Sequence, residues 1–485
     1  MSKQNWTLAI FSFSFTVISF IIYKPFALYF LNDDLLIIPL NKMDFLSQPH
    51  TFRIIHEMLL TLEYHLFGKE ATGYHYIQYI VHLLCSVLVY FFSMNLLKQY
   101  GNLKESENGL VSPLIAAFFS VYAFHSEATL WILGTTASLA TVFFLLSTIT
   151  YMKRDNGISY FICSLLFFQL GLLTYESNWV APFFIFLLSW ATVKRKQREW
   201  KKEKIYPIIY GVYFTTNLLI RRLIAGKYSD VYGDKQLFSI DAKRLFYNGI
   251  CLFVRCFVPP SFSSTCFIVF TIGLFIILSF CLKEIMNKKV CDILVLILSL
   301  SFLASLVPVL TLGISTHSRE SERYLYLPSV FLCLLIFYSL FKLSITGAKL
   351  YIVLICLFAY NIFFLYINAR DYAVAGNIAK SYYTHLEKEK KDTGKIVLVK
   401  FPQQFNGLPL FRLGFKEGLV WMDSIATNRV EIPKDEELNV NSSYARAVTR
   451  SNFDFTFKES KTDSNKTIEL VYDSTYFSIA DFNKQ

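Results

Sequence analysis

The stretch Tyr122–Ala140 reads "YAFHSEATLWILGTTASLA" and places polar residues between two apolar segments. We expect the preceding segment, near residues 110–125, and the following one, near 128–151, to be helices that cross a bilayer, because about twenty apolar residues suffice for a span. Only a few residues join them, so His125 and Glu127 must lie close to the membrane surface. Spans joined by short polar turns predict an α-helical polytopic membrane protein.

The composition of the 485-residue chain agrees with this fold class. Hydrophobic residues make up 54% of the chain and charged residues 17%, whereas soluble domains carry about 25% charged residues. The net charge of +11 would also suit a nucleic-acid-binding protein, so the location of the charge decides between the two classes. The nine cysteines form no CxxC pair, which argues against a disulfide framework or a zinc site.

We place about eleven membrane spans along the chain. The N-terminal apolar run is too long for the core of a cleaved signal peptide, so we predict a retained first helix. The spans fall near residues 7–31, 74–98, 110–125, 128–151, 158–174, 177–193, 205–223, 262–282, 290–312, 325–343 and 348–367.

The lysine-bearing connections between these spans predict the orientation. Alternate connections contain lysine, and the one at 194–204, "KRKQREWKKEK", is strongly basic. The positive-inside rule assigns such connections to the cytoplasm, which accounts for the basic excess without nucleic acid. The remaining connections and the tail after Ala369 are then expected on the outer face. Acidic residues at the mouths of spans on that face are Asp33, Asp34, Glu127, Glu176, Glu320 and Glu322.

Two segments outside the spans have patterns of their own. Thr51–Gly68, "TFRIIHEMLLTLEYHLFG", predicts an amphipathic helix that lies in the membrane interface and ends at its glycine. The tail contains the strand-like runs "KIVLVKFP" and "KTIELVYDSTYFSI". We therefore predict a transmembrane catalytic domain over residues 1–369 and a small extracytoplasmic α/β or mainly β domain over residues 370–485.

The acidic residues of the outer face are candidates for chemistry. Asp33 and Asp34 follow the first span in "YFLNDDLLIIPL", and a carboxylate pair can supply a general base, ligate a metal, or shift the pKa of one member. Alternatively, the pair caps the next helix or ends the span. Glu127, with His125 beside it, and Glu176 lie in short turns where an ordinary polar residue is equally compatible with the pattern.

The segment Ser315–Ser329, "STHSRESERYLYLPS", is the most polar run on the outer face. The planar fork of Arg319 or Arg323 suits bidentate binding of a phosphate, and Tyr324 and Tyr326 can pack on a lipid or a sugar. The candidate donor-phosphate-binding residues are Arg323, Arg319 and Arg53. The candidate substrate-binding residues are His125, Glu176, Tyr324 and Tyr326.

The alternative interpretation of this segment is a salt-bridged loop, in which Glu320 and Glu322 pair with the neighbouring arginines. No histidine spacing in the chain is convincing for a metal site, and the sequence assigns no metal. A divalent cation remains compatible with the acids. The chain lacks a glycine-rich nucleotide-binding motif, so we expect no nucleotide cofactor.

Together these motifs resemble the GT-C superfamily of membrane glycosyltransferases, in particular the bacterial branch related to protein O-mannosyltransferases. The resemblance covers about residues 7–369, and its specific part is the order and spacing of short motifs. "GTT" at 134–136 stands where Gly-Arg is more usual, and the tail has no TPR-like repeat but "FPQQFNGLPLFRLGFKEGL" resembles the start of the tail domain of some bacterial members. The motifs are "LNDD", "GYHYIQYIVHLLCSVLVYFF", "YAFHSEATLWILGTTASLATVFFLLS", "TYESNWVAPFF" and "SERYLYLPSVF".

The resemblance implies a glycosyltransferase that moves a hexosyl or pentosyl group from a polyprenyl-phosphate-linked donor to an acceptor hydroxyl at the outer face of the cytoplasmic (inner) membrane. It implies Asp33 or Asp34 as catalytic base or orienting group. It implies Glu127 as a second acid that contacts the acceptor or a metal, and Arg323 as a residue near the lipid phosphate. The partners would be the lipid-linked sugar, a glycan, lipid or protein acceptor, and the bilayer, with no nucleic acid.

Three other functions are compatible with these patterns. A transporter or flippase of lipid-linked saccharides would place charges at mid-membrane and show broken helices or an internal repeat. An envelope polysaccharide polymerase or ligase would use the same face with a glycan acceptor. A scaffold for envelope assembly would leave the acids inert, so convergence of Asp33, Asp34, Glu127 and Arg323 on one cavity discriminates against it.

Overall fold

The computed structural model describes most of the chain. Of the predicted span near 262–282, residues 264–265 and 267–275 are described, and the others lie outside the described residues. The described residues are 15–40, 53–225, 241–260, 264–265, 267–275, 292–343, 347–388, 395–423, 429–432, 437–442, 455–461, 465–472 and 477–481.

Helices form nearly all of the described chain up to Lys388. Short 3-10 turns at Ala123–His125, Ile132–Gly134, Glu176–Val180 and Glu322–Leu325 join several of them. The helices are α1 (Phe15–Ala27), α2 (Asp34–Leu40), α3 (Ile54–Phe67), α4 (Ala71–Tyr100), α5 (Glu105–Ser120), α6 (Glu127–Leu130), α7 (Thr135–Met152), α8 (Ile158–Leu172), α9 (Ala181–Lys196), α10 (Trp200–Glu203), α11 (Ile205–Ala225), α12 (Ala242–Arg255), α13 (Ile293–Leu306), α14 (Tyr326–Lys342), α15 (Ala348–Lys388) and α16 (Phe415–Asp423).

Four helical segments among the described residues are long and apolar enough to cross a membrane: Ala71–Tyr100, Ile132–Met152, Glu322–Lys342 and Ala348–Lys388. Shorter apolar helices, among them α1 and α8, match other predicted spans. The predicted fold class, a helical multi-pass membrane protein with a small C-terminal sheet region, is confirmed. The count of eleven spans stays a prediction.

Helix α3 occupies the segment predicted to form an amphipathic helix. Its apolar residues Met58, Leu62 and Leu66 are spaced by four and are exposed, whereas the polar Glu57 and Glu63 are buried against the protein. The helix ends where expected, at Gly68, whose φ of 56° favours glycine. An exposed apolar stripe beside a buried polar one suits a helix at a lipid interface, and that location stays a prediction.

Residues 123–134, within the stretch "YAFHSEATLWILGTTASLA", fold as three short turns between α5 and α7. Glycine is required at the third turn, because a Cβ on Gly134 would lie 2.2 Å from the carbonyl oxygen of Glu127. The chain therefore folds back on itself tightly, with Glu127 at the first residue of α6. This compact turn fixes the position of the Glu127 carboxylate relative to the spans on either side.

The C-terminal region contains two four-stranded sheets. One has the strand order β4-β1-β7-β6 and the other β3-β2-β5-β8. Strand β1 pairs in parallel with β4 and β7, and β2 pairs in parallel with β5. The strands are β1 (Lys395–Val399), β2 (Phe401–Phe405), β3 (Leu408–Pro409), β4 (Val430–Glu431), β5 (Glu437–Ser442), β6 (Phe455–Lys461), β7 (Asn465–Tyr472) and β8 (Phe477–Asp481).

Helix α15 joins the membrane part to this region without a break. Its last turns carry Tyr382, whose ring lies against the rings of Phe401, Phe411 and Phe457 at 5.0–5.5 Å between centroids. These aromatic contacts anchor the sheets on the end of the helix, because large rings bury much apolar surface. The same helix thus contributes to the membrane bundle and to the C-terminal core.

The loop between β3 and α16, residues 410–414, packs on the segment that follows α1. The amide of Asn32 donates to the carbonyl of Leu410 at 2.8 Å, and the amide of Leu413 donates to Asn32 Oδ1 at 2.8 Å. Asn32 itself has a φ of 48°, a conformation that asparagine tolerates better than most residues. These bonds place Arg412, in the middle of the loop, beside Asp33.

Candidate functional site

A cavity opens where four segments of the chain meet: the residues between α1 and α2, the turn between α5 and α7, the segment before α14, and the loop of the C-terminal region. Its empty volume is about 430 Å³, counting the part that is open to solvent. It brings together predicted residues from distant parts of the sequence. The lining residues are Leu31, Asn32, Asp33, Glu127, Trp131, Arg319, Glu320, Arg323, Tyr372, Leu408, Pro409 and Arg412.

Asp33 is the acid of this cavity that has no ion-pair partner among the described residues. Its Oδ1 accepts a 2.5 Å hydrogen bond from Asn32 Nδ2. Burial raises the pKa of Asp33, while the positive charges of Arg323 and Arg412 act to lower it and the charge of Glu320 raises it. A carboxylate in a polar cavity with a raised pKa has the properties of a general base.

Asp34 lies next to Asp33 in sequence but faces the protein interior. It is fully buried, and its two oxygens accept hydrogen bonds from the amides of Leu31 at 3.0 Å and Leu133 at 3.4 Å. Burial raises its pKa well above the ordinary value. Because these bonds tie the start of α2 to the turn before α7, Asp34 orients the segment that presents Asp33.

Glu127 and Arg323 form a close ion pair in the cavity wall. Arg323 Nη1 lies 2.6 Å from Glu127 Oε1, and the amide of Arg323 donates to Glu127 Oε2 at 2.9 Å. Burial raises the pKa of Glu127, and Arg323 counteracts that shift. The guanidinium also lies over the rings of Trp131 and Tyr324, at 5.0 and 5.2 Å from their centroids. Both oxygens of Glu127 are thus engaged in positioning Arg323.

The motif His125–Glu127 pairs residue by residue with the segment 322–329, which the sequence presented as a separate motif. Each of the three polar side chains bonds a different partner in that segment, so the two motifs hold one another in register. The pairs are His125 Nδ1 with Ser329 Oγ at 3.0 Å, Ser126 Oγ donating to Glu322 Oε2 at 2.8 Å, and Glu127 with Arg323.

A buried ion pair between Arg255 and Glu322 also holds the segment 315–329 in place. Arg255 Nη2 lies 2.5 Å from Glu322 Oε1, and both side chains are fully buried. Arg255 also donates to the carbonyls of Val258 and Ser315, at 2.6 and 3.1 Å. A buried charge pair is costly unless its remaining donors are satisfied, and here these carbonyls satisfy them. The pair fixes the beginning of the segment that carries Arg319 and Arg323.

Arg319 lies in the cavity wall on the side of α15. Its Nη1 is 2.5 Å from Asp371 Oδ2, both side chains are almost completely buried, and the neighbouring Tyr372 lines the cavity. The amide of Arg319 donates to the carbonyl of Gly407 at 3.3 Å. Arg319 therefore links three parts of the chain: the segment 315–329, helix α15 and the C-terminal region.

Arg412 enters the cavity from the C-terminal region. Its two terminal nitrogens donate to the two oxygens of Glu320 at 2.9 and 2.7 Å. Burial alone would raise the pKa of Glu320, but the hydrogen bonds and charge of Arg412 hold it below the ordinary value. The ion pairs of Glu320 and Glu322 thus reach distant arginines, and the segment 315–329 is tied to other parts of the fold by them.

Other candidate residues lie away from the cavity lining. Arg53 and Glu176 form an ion pair with one another at 2.8 Å, and Arg53 lies 4.5 Å over the ring of Tyr175. Tyr326 is buried 4.5 Å from the ring of His125. Tyr324 contacts the site through the Arg323 guanidinium. Their predicted roles in binding phosphate or substrate stay predictions.

Within the described residues, no group of three His, Cys, Asp or Glu side chains lies close enough to hold a metal ion. Two of the acids that line the cavity, Glu127 and Glu320, are engaged by arginines. These arginines compete with any cation for the oxygens of the two carboxylates.

Three polar residues of the lining were missed in the sequence: Asn32, Tyr372 and Arg412. Trp131 lies in "YAFHSEATLWILGTTASLA", where a tryptophan is equally typical of the membrane interface. The signal for Arg412 is present in "NGLPLFRLG", where glycines on both sides of the arginine indicate a tightly constrained loop. Tyr372 has no comparable signal, because one tyrosine in a long helix gives no hint of what it faces.

No protein-family model matches the chain, and no curated protein matches it. Among solved structures, it is similar to the crystal structure of ArnT from Cupriavidus metallidurans bound to undecaprenyl phosphate. The two chains are 12% identical, the alignment covers 97% of this chain and 98% of the other, and the TM-score is 0.47. Neither a family nor an activity of this chain follows from a similarity at this level.

Proposed function

We propose that this chain is an integral-membrane glycosyltransferase that moves a sugar from a polyprenyl-phosphate-linked donor to an acceptor hydroxyl. The observation that carries the proposal is the cavity in which Asp33, an acid without an ion-pair partner among the described residues, faces Arg323 and Arg412. A general base next to cationic groups is the arrangement needed to activate a hydroxyl and to stabilise a departing phosphate. The sequence motifs that resemble the GT-C superfamily supply these same residues.

In the proposed reaction, Asp33 takes the proton of the acceptor hydroxyl as the hydroxyl oxygen attacks the anomeric carbon of the donor sugar. A new carbon–oxygen bond forms, and the bond from that carbon to the phosphate oxygen breaks. The electron pair of the broken bond leaves on the polyprenyl phosphate. Arg323 stabilises that negative charge, which is typically a large share of such catalysis.

The remaining lining residues position these groups. Glu127 holds Arg323 in place through two hydrogen bonds, one from the guanidinium and one from the backbone amide. Trp131 and Tyr372 offer aromatic surfaces in the same cavity, and such surfaces suit the apolar faces of a sugar ring. A rigid arginine costs less reorganisation during the reaction than a mobile one.

We place this site on the outer face of the cytoplasmic membrane, with the C-terminal region extracytoplasmic. The support is the distribution of lysine in the sequence: α7 begins at the turn that carries Glu127 and ends at Met152, next to the basic connection "MKRDNG". The positive-inside rule assigns the basic end to the cytoplasm. We also propose that the chain is related to protein O-mannosyltransferases. The transferred sugar would be a hexosyl or pentosyl group, and the acceptor a glycan, a lipid or a protein.

The decisive experiment compares Asp33→Asn with Asp34→Asn in the purified protein reconstituted in nanodiscs. The substrates are a panel of polyprenyl-phosphate sugars and an envelope extract as acceptor, with products identified by mass spectrometry. We expect Asp33→Asn to lower the rate about a thousandfold. Asp34→Asn should retain most activity, because an amide oxygen can still accept the bond from Leu31. Asp155→Asn, an exposed acid paired with Arg198, is the matched control.

The melting temperature distinguishes loss of activity through misfolding from loss of the catalytic base. Burial raises the folded-state pKa of Asp33 above its unfolded value, so this group lowers the stability as the pH rises from the unfolded through the folded pKa. Asp33→Asn removes that cost and should not lower the melting temperature at neutral pH. Full transfer activity in Asp33→Asn would refute the proposed mechanism, and movement of intact lipid-linked saccharide without transfer would favour a flippase.

A further inference from the structure

We propose that Arg412 binds the phosphate of the lipid-linked donor, and that the phosphate takes the place that Glu320 occupies on this arginine. The inference rests on the proposed function and extends it, because it makes the C-terminal region a part of the substrate site.

The loop that carries Arg412 is fixed on both sides of the arginine. The backbone of Leu410 and of Leu413 each bonds Asn32, at 2.8 Å. The carbonyl of Gly407 accepts a bond from the amide of Arg319 at 3.3 Å. The loop is therefore attached to the two segments that supply Asp33 and Arg319, and a side chain at position 412 has a defined place in the cavity.

Two glycines, Gly407 just before β3 and Gly414 at the end of the loop, allow this close attachment. A Cβ on Gly407 would lie 2.8 Å from the Cα of Ser318, and a Cβ on Gly414 would lie 2.8 Å from the carbonyl oxygen of Asn32. Both glycines also have φ above 70°, where other residues are strained. At these two glycines the C-terminal region approaches the backbone of the membrane part directly. A loose contact between two domains would not need glycine at these positions.

The three arginines of the cavity differ in how easily they can exchange partners. The Arg319–Asp371 pair is 2% exposed on each side, and the Arg323–Glu127 pair 16% and 6%. The Arg412–Glu320 pair is 36% and 35% exposed, so solvent screens its attraction and replaces its hydrogen bonds when it opens. Of these three pairs, Arg412–Glu320 is the one that an incoming anion can open at the lowest cost.

A phosphate is a good substitute for Glu320 on Arg412. The planar guanidinium already binds both oxygens of that carboxylate in the bidentate manner that it also uses with phosphate. Glu320 in turn repels a phosphate that approaches Arg412. The two members of the pair should therefore have opposite effects on binding: Arg412 promotes it, and Glu320 opposes it.

The test measures binding of a long-chain polyprenyl phosphate to the full-length protein in nanodiscs, by native mass spectrometry or thermophoresis. We expect Arg412→Gln to weaken binding about tenfold, and Arg412→Lys to restore part of the loss. Glu320→Gln should tighten binding severalfold. The control is Arg198→Gln, since Arg198 binds Asp155 with the same bidentate distances, 2.9 and 2.7 Å, and is 38% exposed.

Opposite signs for Arg412→Gln and Glu320→Gln support the inference. Equal weakening by the two variants would show that the pair is only a clamp between segments, and unchanged binding in both would show that the phosphate binds elsewhere; either result overturns it. If the wild-type protein does not bind polyprenyl phosphate, the proposed function itself fails. Should Arg412→Gln fold poorly, Glu320→Gln alone decides, because a structural clamp cannot bind more tightly when it is broken.

Discussion

The two ends of α7 carry the same unit of structure with different surroundings. At one end Arg323 lies 2.6 Å from a buried glutamate and over two aromatic rings. Just beyond the other end, Arg154 lies 2.6 Å from the buried Glu203 and over the rings of Tyr151 and Tyr206, at 4.2 and 4.9 Å. Each unit consists of an arginine, a glutamate and two aromatic rings.

The difference lies in the acid next to each unit. Asp155, beside Arg154, is bound by Arg198, which also contacts Glu203 at 3.0 Å. Asp33, beside Arg323, has no ion-pair partner among the described residues and lines a cavity. Paired arginines alone therefore do not mark a site in this protein. An acid left over after pairing, in a cavity with cations, is what distinguishes the candidate site from its counterpart.

Removal of the two central arginines should give the largest contrast. Arg323→Gln leaves Glu127 buried without its cation, so we expect a loss of about 3 kcal/mol in the free energy of unfolding and at least about a hundredfold loss in kcat/KM. Arg154→Gln should cost less stability, because Glu203 keeps Arg198, and should leave kcat/KM of the folded protein unchanged. Both are measured on purified protein, with thermal unfolding beside the transfer assay.

Double variants separate stability from function in this comparison. Glu127→Gln with Arg323→Gln removes the uncompensated charge and should recover stability without recovering activity. If activity returns together with stability, Arg323 is a structural residue like Arg154, and the distinction between the two ends of α7 is lost.

A smaller effect is expected from Gly414→Ala, which tests the attachment of the loop that carries Arg412. The added Cβ would meet the carbonyl oxygen of Asn32, in a backbone conformation with φ of 79°, so the loop must shift. We expect KM for the lipid-linked donor to rise about tenfold with a smaller change in kcat. Gly211→Ala, in α11 where a Cβ meets nothing within 4 Å, should leave both constants unchanged.

The smallest effect should be on the pH dependence of transfer. Asp33 acts in its deprotonated form, so kcat/KM should fall as the pH drops through its raised pKa. Arg412→Gln removes a cation that lowers the pKa of Asp33, so the acidic limb of the profile should move to higher pH. Glu320→Gln removes an anion that raises it, and the limb should move to lower pH. Shifts in the same direction for both variants would contradict the placement of Asp33 between them.

Much of the site could be predicted from the sequence because local patterns place it. Lysine in alternate connections groups Asp33, Glu127 and Arg323 on one face, and these three residues do line one cavity. The distinction between Asp33 and Asp34 could not be predicted, since it depends on a turn at Asn32 and on a bond from the amide of Leu133, about a hundred residues away.

The pairing of charges was also beyond local patterns. The sequence places Glu320 and Glu322 among nearby arginines, whereas their partners in the fold are Arg412 and Arg255. Which arginine an acid meets is decided by how helices and the C-terminal sheets pack, and charge spacing along the chain carries no information about that packing. The strands of the tail were predictable from composition, but their contribution of Arg412 to the site was not.

The continuous helix α15 sets the relation between the membrane bundle and the C-terminal region by its helical phase. Buried residues recur along it at alternating steps of four and three, as in a heptad repeat. Successive residues of an α-helix are rotated by about 100°, so these steps keep the buried side chains on one face. A residue inserted between Tyr372 and Tyr382 would rotate the rest of the helix by that angle, so the aromatic anchor at Tyr382 would lose its alignment with the cavity wall at Tyr372. The stripe comprises Asn361, Leu365, Asn368, Tyr372, Ala375, Ala379, Tyr382 and Leu386.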